Sequence, residues 1–337
     1  MLDRNTLTSV EICAGAGGQA IGLEQAGFQH LALIEYNSDA CRTLRYNRPE
    51  WNVIEKDVRE FDPVQELASV DIDLLAGGIP CTPYSVAGKQ LGSDDHRDLL
   101  PEAIRLTETI RPRAVMLENV SALVKGVKFA YTRKALAESF AELGYAVQME
   151  ILDAQHFGVP QRRRRALVVA IRNDVFQKFQ WPIRLWELPP TVGEALEDSM
   201  ASNGWSGASE WARLANGIAP TLVGGSTIHG GGDLGPDRAK QAWSRLAVNG
   251  DALELEPPGP KFRLRHGVGR GGWKGYPKLT AGQAAMLQGF PPDWHFTGGK
   301  TARYKQIGNA FPPPVARAVA ASIMSTLLGS QADESTR

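Results

Sequence analysis

Between Leu7 and Ile171, short apolar runs alternate with segments of helical spacing, and that alternation leaves few folds open. Leu7-Thr-Ser-Val-Glu-Ile12 reads as a strand and runs into Cys13-Ala14-Gly15-Ala16-Gly17-Gly18. Ile21, Leu23 and Ala26 then space out a helix that stops at Gly27. Leu31-Ala-Leu-Ile-Glu35 is a second strand, ending on an acid, and Asn37 or Ser38 caps a helix that Pro49 ends. Trp51-Asn-Val-Ile54 makes a short third strand with Asp57 just beyond it. Strands joined through helices pair in parallel, because the crossover is the helix. The expected architecture is therefore an α/β, doubly wound, mainly parallel sheet. In such a sheet ligands collect at the carboxyl ends of the strands.

Glu35 stands where a carboxylate accepts both hydroxyls of a ribose, and Asp57 where one accepts from the exocyclic amine of an adenine. Gly15-x-Gly17-x-x-Ala20 with Glu35 fits a dinucleotide fingerprint as well as an S-adenosyl group, and a tight turn alone has the same pattern.

Asp71-Ile-Asp-Leu-Leu-Ala76 is a short buried strand that gives way to Gly77-Gly78-Ile79-Pro80-Cys81-Thr82-Pro83-Tyr84-Ser85. Glycines and prolines force an irregular loop there, and a cysteine held rigidly at such a tip is a candidate nucleophile. The glycine-hinged polar stretch Gly88 to Asp98 has the composition of a lid, and also of a plain surface loop. After a helix over Leu99 to Ile110, the strand Ala114-Val-Met-Leu117 ends in Glu118-Asn119-Val120. A carboxyl group at a strand end beside a nucleophile loop is a natural general acid; its plainer role is a helix cap. Phe129 to Leu143 is amphipathic and Tyr145 to Leu152 is a strand. Gln161-Arg162-Arg163-Arg164-Arg165 leads into the strand Ala166 to Ile171. Alternation along that strand puts Gln161, Arg163 and Arg165 on one side, where they can donate hydrogen bonds into a site.

The chain has 337 residues, which suits one large and one smaller domain. From about Trp186 regular alternation yields to Gly, Ser, Trp and Pro. Lys261, Arg263, Arg265, Arg270, Lys274 and Lys278 then fall in a stretch without acids, among Phe262, Trp273 and Tyr276. Net charge is zero, so attraction for a polyanion has to be local, and this stretch supplies it. The expected division is 1–185, a second domain at 186–278, a return segment at 279–328 in which Thr280 caps a helix through Leu287 and a last helix runs from Val315 to Leu328, and a disordered tail at 329–337. Cys13, Cys41 and Cys81 are too few for a disulfide framework, which suits a reducing cytoplasm. The absence of CxxC and HExxH argues against a metal. The first residues lack the apolar core of a signal peptide, and no apolar run is long enough for a membrane span.

Taken in order, Glu11 to Gly18, Gly78-Ile-Pro-Cys81-x-x-Tyr-Ser85, Glu118-Asn119-Val120, Gln161-x-Arg163-x-Arg165, Leu279-Thr280 with Leu287-Gln288-Gly-Phe-Pro291, and Gln306-Ile-Gly-Asn309-Ala-x-Pro-Pro resemble the DNA cytosine-5 methyltransferases of bacterial type. The match covers almost the whole chain. An NAD-dependent oxidoreductase shares the first half, but nothing in that reading uses Gln161 to Arg165 or the basic insert. The resemblance implies a Rossmann-like fold that uses S-adenosylmethionine, with a smaller, irregular target-recognition domain. It implies catalytic roles for Cys81, Glu118, Arg163 and Arg165. The cofactor cleft it implies is lined by Ala14, Gly15, Gly17, Gly18, Glu35, Asp57, Gly78, Pro80, Leu100, Asn309 and Ala310. DNA contacts are implied for Ser85, Lys89, Gln161, Arg263, Arg265, Arg270 and Lys274. Also implied are duplex DNA as partner, a cytosine turned out of the helix, a monomer, and a restriction-modification setting with a cognate endonuclease or an orphan or phage modification role. An RNA cytosine methyltransferase on the same fold is the alternative, and the large insert favours duplex DNA. Two positions depart from the family pattern: Cys13 replaces a phenylalanine and Thr82 replaces a glutamine.

Overall fold

A computed structural model of the chain describes residues 6–67, 71–80, 98–175, 178–185, 187–224, 232–269 and 271–334. These form two compact units, one of Met1–Leu152, Arg164–Ile183 and Val315–Arg337, the other of Asp153–Arg163 and Arg184–Pro314. The elements of the first are β1 (Thr8–Ile12), α1 (Gly18–Ala26), β2 (Gln29–Glu35), α2 (Ser38–Asn47), β3 (Val53–Glu55), α3 (Pro63–Glu66), β4 (Leu74–Gly78), α4 (Leu100–Ile110), β5 (Ala114–Val120), α5 (Ala122–Lys125), α6 (Ala130–Glu142), β6 (Tyr145–Asp153) and β7 (Arg164–Arg172). The second unit holds α7 (Val192–Ala201), α8 (Ala208–Leu214), α9 (Asp237–Ser244), α10 (Ala281–Leu287) and α11 (Lys300–Asn309), and α12 (Pro313–Glu334) carries the chain back to the first.

The sheet has seven strands in the order β3-β2-β1-β4-β5-β7-β6. β1, β2, β3, β4 and β5 pair in parallel, while β7 runs antiparallel to β5. β1 is buried along its whole length because it pairs with β2 on one side and β4 on the other. Its period of two sends Val10 and Ile12 into a core with Ala32, Ile34, Leu75, Val115 and Leu117, covered by Leu100, Ala103 and Leu106 of α4 and Leu136 and Phe140 of α6. Ser9 and Glu11 point to the other face, so a run that is apolar on one side is polar on the other. α1 and α12 meet closely: a methyl group on Gly27 would stand 3.3 Å from Met324 Cε, and Arg113 Nη2 donates to the Leu327 carbonyl oxygen at 2.8 Å.

Several boundaries differ from the sequence reading. β7 begins at Arg164, so Gln161 and Arg163 precede the strand and the alternation argument does not reach them. Both belong to the second unit. α12 runs on to Glu334, past Gly329, because no proline or second glycine follows to stop it. The second unit is also more regular than composition suggested: α7 begins in a capping box made by Thr191 and Glu194, and α8 and α9 follow. Residues 279–314 belong to this unit. Thr280 does cap α10, in a capping box with Gln283.

His30 links β2 to its neighbours. Its Nε2–H donates to the Ala20 carbonyl oxygen at 3.0 Å, which leaves Nδ1 to accept from Ser9 Oγ at 2.9 Å, and its ring meets the edge of Trp51 at 4.9 Å. A carbonyl oxygen can only accept, so Nε2 carries a proton. Burial lowers its pKa from 6.5 to about 4, against a smaller upward pull from the Ala20 bond. The depressed pKa contributes stability that is complete above pH 6.5 and erodes as pH falls towards 4, by on the order of 2–3 kcal/mol. Urea unfolding at pH 7 and pH 4.5 should show this loss. A His30→Gln variant should lose less over the same interval, and an equal loss would assign the acid sensitivity to other groups.

Candidate active site

The strand order places the site. Connections leave β1 and β4 in opposite directions along the sheet, so the loops at their carboxyl ends open a crevice between them. β1 delivers the glycine-rich turn and β4 delivers Gly78, Ile79 and Pro80, with Glu118 opposite Gly78 in the register of β5. Cys81, Ser85, Lys89 and Arg270 lie outside the described residues.

In the turn, Cys13, Gly15 and Gly17 all take left-handed backbone conformations, with φ of 52, 55 and 90°. Gly17 caps α1, and an ideal Cβ on Gly15 would meet nothing within 4 Å, so the main chain there faces open space. Glu35, at the end of β2, is buried, and its Oε2 accepts from the Gly15 N–H at 2.8 Å while Oε1 accepts from Asn37 at 2.8 Å. Burial pushes its carboxyl pKa up, and the bonds from Asn37 and Gly15 oppose that shift. The acid thus ties the glycine turn to the end of the next strand. Asp57 caps the following turn through Arg59 N–H and pairs with the Arg59 guanidinium at 2.8 Å, half-exposed. Ala14 and Leu100 are buried, and Leu100 N–H donates to Asp98 at 3.1 Å. Gly78 has room beside it: a Cβ there would make only ordinary contacts, 3.6 Å from the Cys13 carbonyl oxygen and 3.9 Å from Glu118 Oε2. An open glycine main chain, a buried acid beside it and the gap at Gly78 fit an adenosyl group bearing a short charged tail.

Glu118 is only 4% exposed. Its charge is met by Arg165, whose Nε lies 2.8 Å from Oε1, and Val120 pairs in register with Arg165 across β5 and β7. The two described cysteines are poor nucleophiles. Burial, with Glu35, Asp57 and Glu11 nearby, raises the Cys13 thiol far above its ordinary range. Burial and Glu35 push Cys41 up to about 12, and its thiol donates to the Glu35 carbonyl oxygen at 3.2 Å.

Gln161 and Arg163 are buried and turned towards main chain. Gln161 Nε2 donates to Leu287 O at 3.1 Å and to Gln288 Oε1 at 2.6 Å, and its Oε1 accepts from Leu222 N–H at 3.0 Å. Arg163 donates to Leu222 O and to Gly308 O, both at 2.8 Å. Asn309, next to Gly308 and Ala310, lies so close to Gly224 that a Cβ there would meet Asn309 Oδ1 at 2.2 Å. Within the second unit the structure therefore brings Gln161, Arg163, Leu222, Gly224 and Gly308 together as one hydrogen-bonded brace.

The basic stretch forms an exposed loop. Arg265 N–H donates to Gly275 O and Lys274 N–H to Val268 O, and between them Gly267, Gly269, Gly271 and Gly272 turn the chain with positive φ. Arg263, Arg265 and Lys274 are exposed on it. Its aromatics serve packing: Trp273 is buried, Phe262 meets Trp205 edge-on at 5.0 Å, and Tyr276 pairs with His266. Tyr36, directly after Glu35, is 70% exposed, a large aromatic in the open that the sequence reading did not single out. Only its place after the acid-ended strand marks it.

A glycine turn braced by an acid at the end of β2, on a sheet of this order, defines the class of S-adenosylmethionine-dependent methyltransferases with a Rossmann-like fold. Solved structures of DNMT2 share that fold. The Spodoptera frugiperda protein superposes with a TM-score of 0.64 at 17% identity, covering 96% of this chain and 100% of that one. The S. pombe protein gives 0.62 at 15%, covering 96% and 99%. Residues 7–325 match the C-5 cytosine-specific DNA methylase family, and the chain belongs to it. It is 50% identical over 324 residues to the Type II methyltransferase M.NgoMIV of Neisseria gonorrhoeae, covering 95% of this chain and 98% of that protein. To M.NaeI of Lentzea aerocolonigenes it is 47% identical over 323 residues, covering 96% and 76%. The protein is a DNA cytosine-5 methyltransferase, and family and fold imply S-adenosylmethionine as methyl donor.

The buried Glu118–Arg165 pair makes a direct prediction. Arg165→Ala strands a carboxylate in the interior and should cost about 3 kcal/mol in urea unfolding. Adding Glu118→Gln removes the stranded charge and should return much of that loss. Strictly additive losses in the double variant would mean the two groups are not coupled.

Proposed function

We propose that the chain methylates carbon-5 of a cytosine turned out of a specific duplex sequence, with Cys81, Glu118 and Arg165 as the reacting-base contacts, while Arg163 holds main chain within the second unit. The observation that carries this reading is the buried Glu118–Arg165 pair beside Gly78, three residues before Cys81. The raised Cys13 and Cys41 thiols further favour Cys81 as the nucleophile.

Carbon-5 of cytosine is too electron-poor to take a methyl group unaided. The Cys81 thiolate adds to carbon-6, forming the S–C6 bond and moving an electron pair towards carbon-5. Charge then builds at ring nitrogen 3 and the carbonyl oxygen. Glu118 holds a proton at nitrogen 3, and Arg165, already paired with Glu118, donates to the oxygen. S-adenosylmethionine, when bound, supplies the methyl group. Loss of the carbon-5 proton returns the electron pair, and the S–C6 bond breaks. A stacked base is out of reach of these groups, so the cytosine has to leave the helix, at a cost on the order of a few kcal/mol.

Ala14, Gly15, Gly17, Gly18, Glu35, Asp57, Gly78, Pro80 and Leu100 would hold the donor. Glu35 is the best supported, since each of its oxygens keeps acceptor capacity after one backbone bond. Sequence readout is assigned to 186–278, with exposed Arg263, Arg265 and Lys274, together with Arg270, reaching the DNA, and Ser85 and Lys89 are assigned further DNA contacts. The enzyme acts as a cytoplasmic monomer. The Type II names of its relatives support a restriction-modification role with a cognate endonuclease. Among the described residues no helix is long and apolar enough to cross a membrane. The duplex-DNA reading is preferred to an RNA substrate because of the family match along 7–325.

A duplex carrying 5-fluorocytosine at the target should trap the enzyme covalently, because fluorine does not leave as a cation. Cys81→Ser should abolish the adduct and retain DNA binding. An adduct mapping to Cys13 or Cys41 would falsify the assignment. In calorimetry, Glu35→Ala should weaken S-adenosylmethionine binding by roughly 1–3 kcal/mol. Glu118→Gln should slow methylation with donor affinity nearly unchanged; the reverse pattern would exchange the two roles.

A further inference from the structure

The segment that follows Glu118 carries a feature that the chemistry does not use. From Ser121 to Ala137 the chain has Lys125, Lys128, Arg133 and Lys134 and no acidic residue. It begins directly after β5, so it leaves the sheet at the end that holds Glu118. Leu123, Phe129 and Leu136 anchor it in the core. Arg133 Nη1 donates to Leu123 O at 3.0 Å and to Gly126 O at 2.8 Å, so this guanidinium is spent on closing the turn. The turn is tight: a Cβ on Gly126 would stand 2.6 Å from Ala122 O and 2.9 Å from Phe129 Cδ2. Lys125, Lys128 and Lys134 are exposed on this braced framework. So are Val127 at 89% and Tyr131 at 80%, four residues apart. Lys134 lies 3.6 Å from Glu138, an exposed pair that is weak in water.

Single exposed apolar side chains are ordinary. An exposed valine and tyrosine set among lysines, without an acid for seventeen residues and on a rigid turn beside the base-binding carboxylate, are not a generic solvated face. The ligand such a surface fits alternates negative charge with apolar sugar edges. We propose that residues 125–134 form a second, sequence-independent DNA contact. Lys125 and Lys128 meet phosphates, and Val127 and Tyr131 lie against the deoxyribose edge of the duplex flanking the flipped cytosine. This rests on duplex DNA being the substrate. It assigns to the catalytic unit the grip that offsets the cost of base extrusion, apart from sequence readout.

The test measures binding of the full-length protein to labelled duplexes, one containing the methylated site and one unrelated, across a salt series. A Lys125→Ala/Lys128→Ala variant should lose the same factor on both duplexes, about tenfold or more at moderate salt. Its log–log salt slope should be shallower by about two, near 0.9 for each phosphate contact. Methylated positions, read by sequencing, should stay the same, and the kinetic loss should fall mainly on KM for DNA. Lys125→Arg/Lys128→Arg should restore the slope, which separates lost charge from lost folding. Tyr131→Ala should weaken both duplexes alike with the slope kept. If the wild type binds DNA with a normal salt slope and the alanine variant does the same, the ridge is not a DNA contact. If the variant changes which sites are methylated, the ridge reads sequence and the proposal is overturned. If the wild type shows no salt-dependent binding, the DNA reading fails first and takes this one with it.

Discussion

The reversal of strand order at β1 and β4 is the constraint on which the site depends. β1 is central, fully buried and paired on both edges, so its carboxyl end is fixed in space by two neighbours. The turn after it can then take left-handed backbone at Cys13, Gly15 and Gly17 without losing its position. Glu35 adds a tie from the next strand, accepting the Gly15 N–H. The loop that carries Cys81 leaves from the strand beside it. The glycine turn and Gly78 are thus neighbours because of topology, before any side chain is considered.

Three buried carboxyl groups crowd this end of the sheet, and the fold treats each differently. Glu35 is held by backbone N–H groups, which oppose the effect of burial. Glu118 is met by a guanidinium on the antiparallel neighbour β7. Glu11 has no such compensation at Oε2, and burial with the nearby Glu35 raises it well above the ordinary carboxyl range. Buried charge is tolerated only where it is paired, and the three environments differ: a backbone tie at Glu35, an ion pair at Glu118 and neither at Glu11 Oε2. The pairing of Glu118 with Arg165 uses the one strand of this site that runs against the others.

The second unit is organised by its own short segment Asp153–Arg163. Gln161 and Arg163 are buried among main-chain carbonyls of 222, 287 and 308, and a guanidinium placed there satisfies several acceptors at once. Asn309 sits against Gly224 within the same brace. The glycines at 224 and 308 are there for close approach: a Cβ on either would collide with the other strand of the brace. Arg163 therefore serves by holding backbone, while Arg263, Arg265 and Lys274 stand exposed on the basic stretch.

Local chemistry alone was enough to determine much of this. Apolar runs ending in glycine or acid gave the strands, because burial and turn formation are decided within a few residues. Asn37 and Thr280 cap their helices as their side chains dictate. The methyltransferase reading came from the resemblance of the motifs around Gly15, Cys81, Glu118, Gln161 to Arg165, Leu287 and Asn309, taken in order, to the DNA cytosine-5 methyltransferases. What sequence could not decide depends on partners far away in the chain. Gln161 and Arg163 looked like site-facing donors because the strand was taken to include them; only the tertiary structure shows that it starts at Arg164 and that carbonyls more than fifty residues distant claim both side chains. Trp273 looked like a surface aromatic among basic residues, and only packing shows it buried. The identity of Arg165 as the partner of Glu118 needed the antiparallel register of β5 and β7, since pairing across a sheet is set by topology and not by spacing.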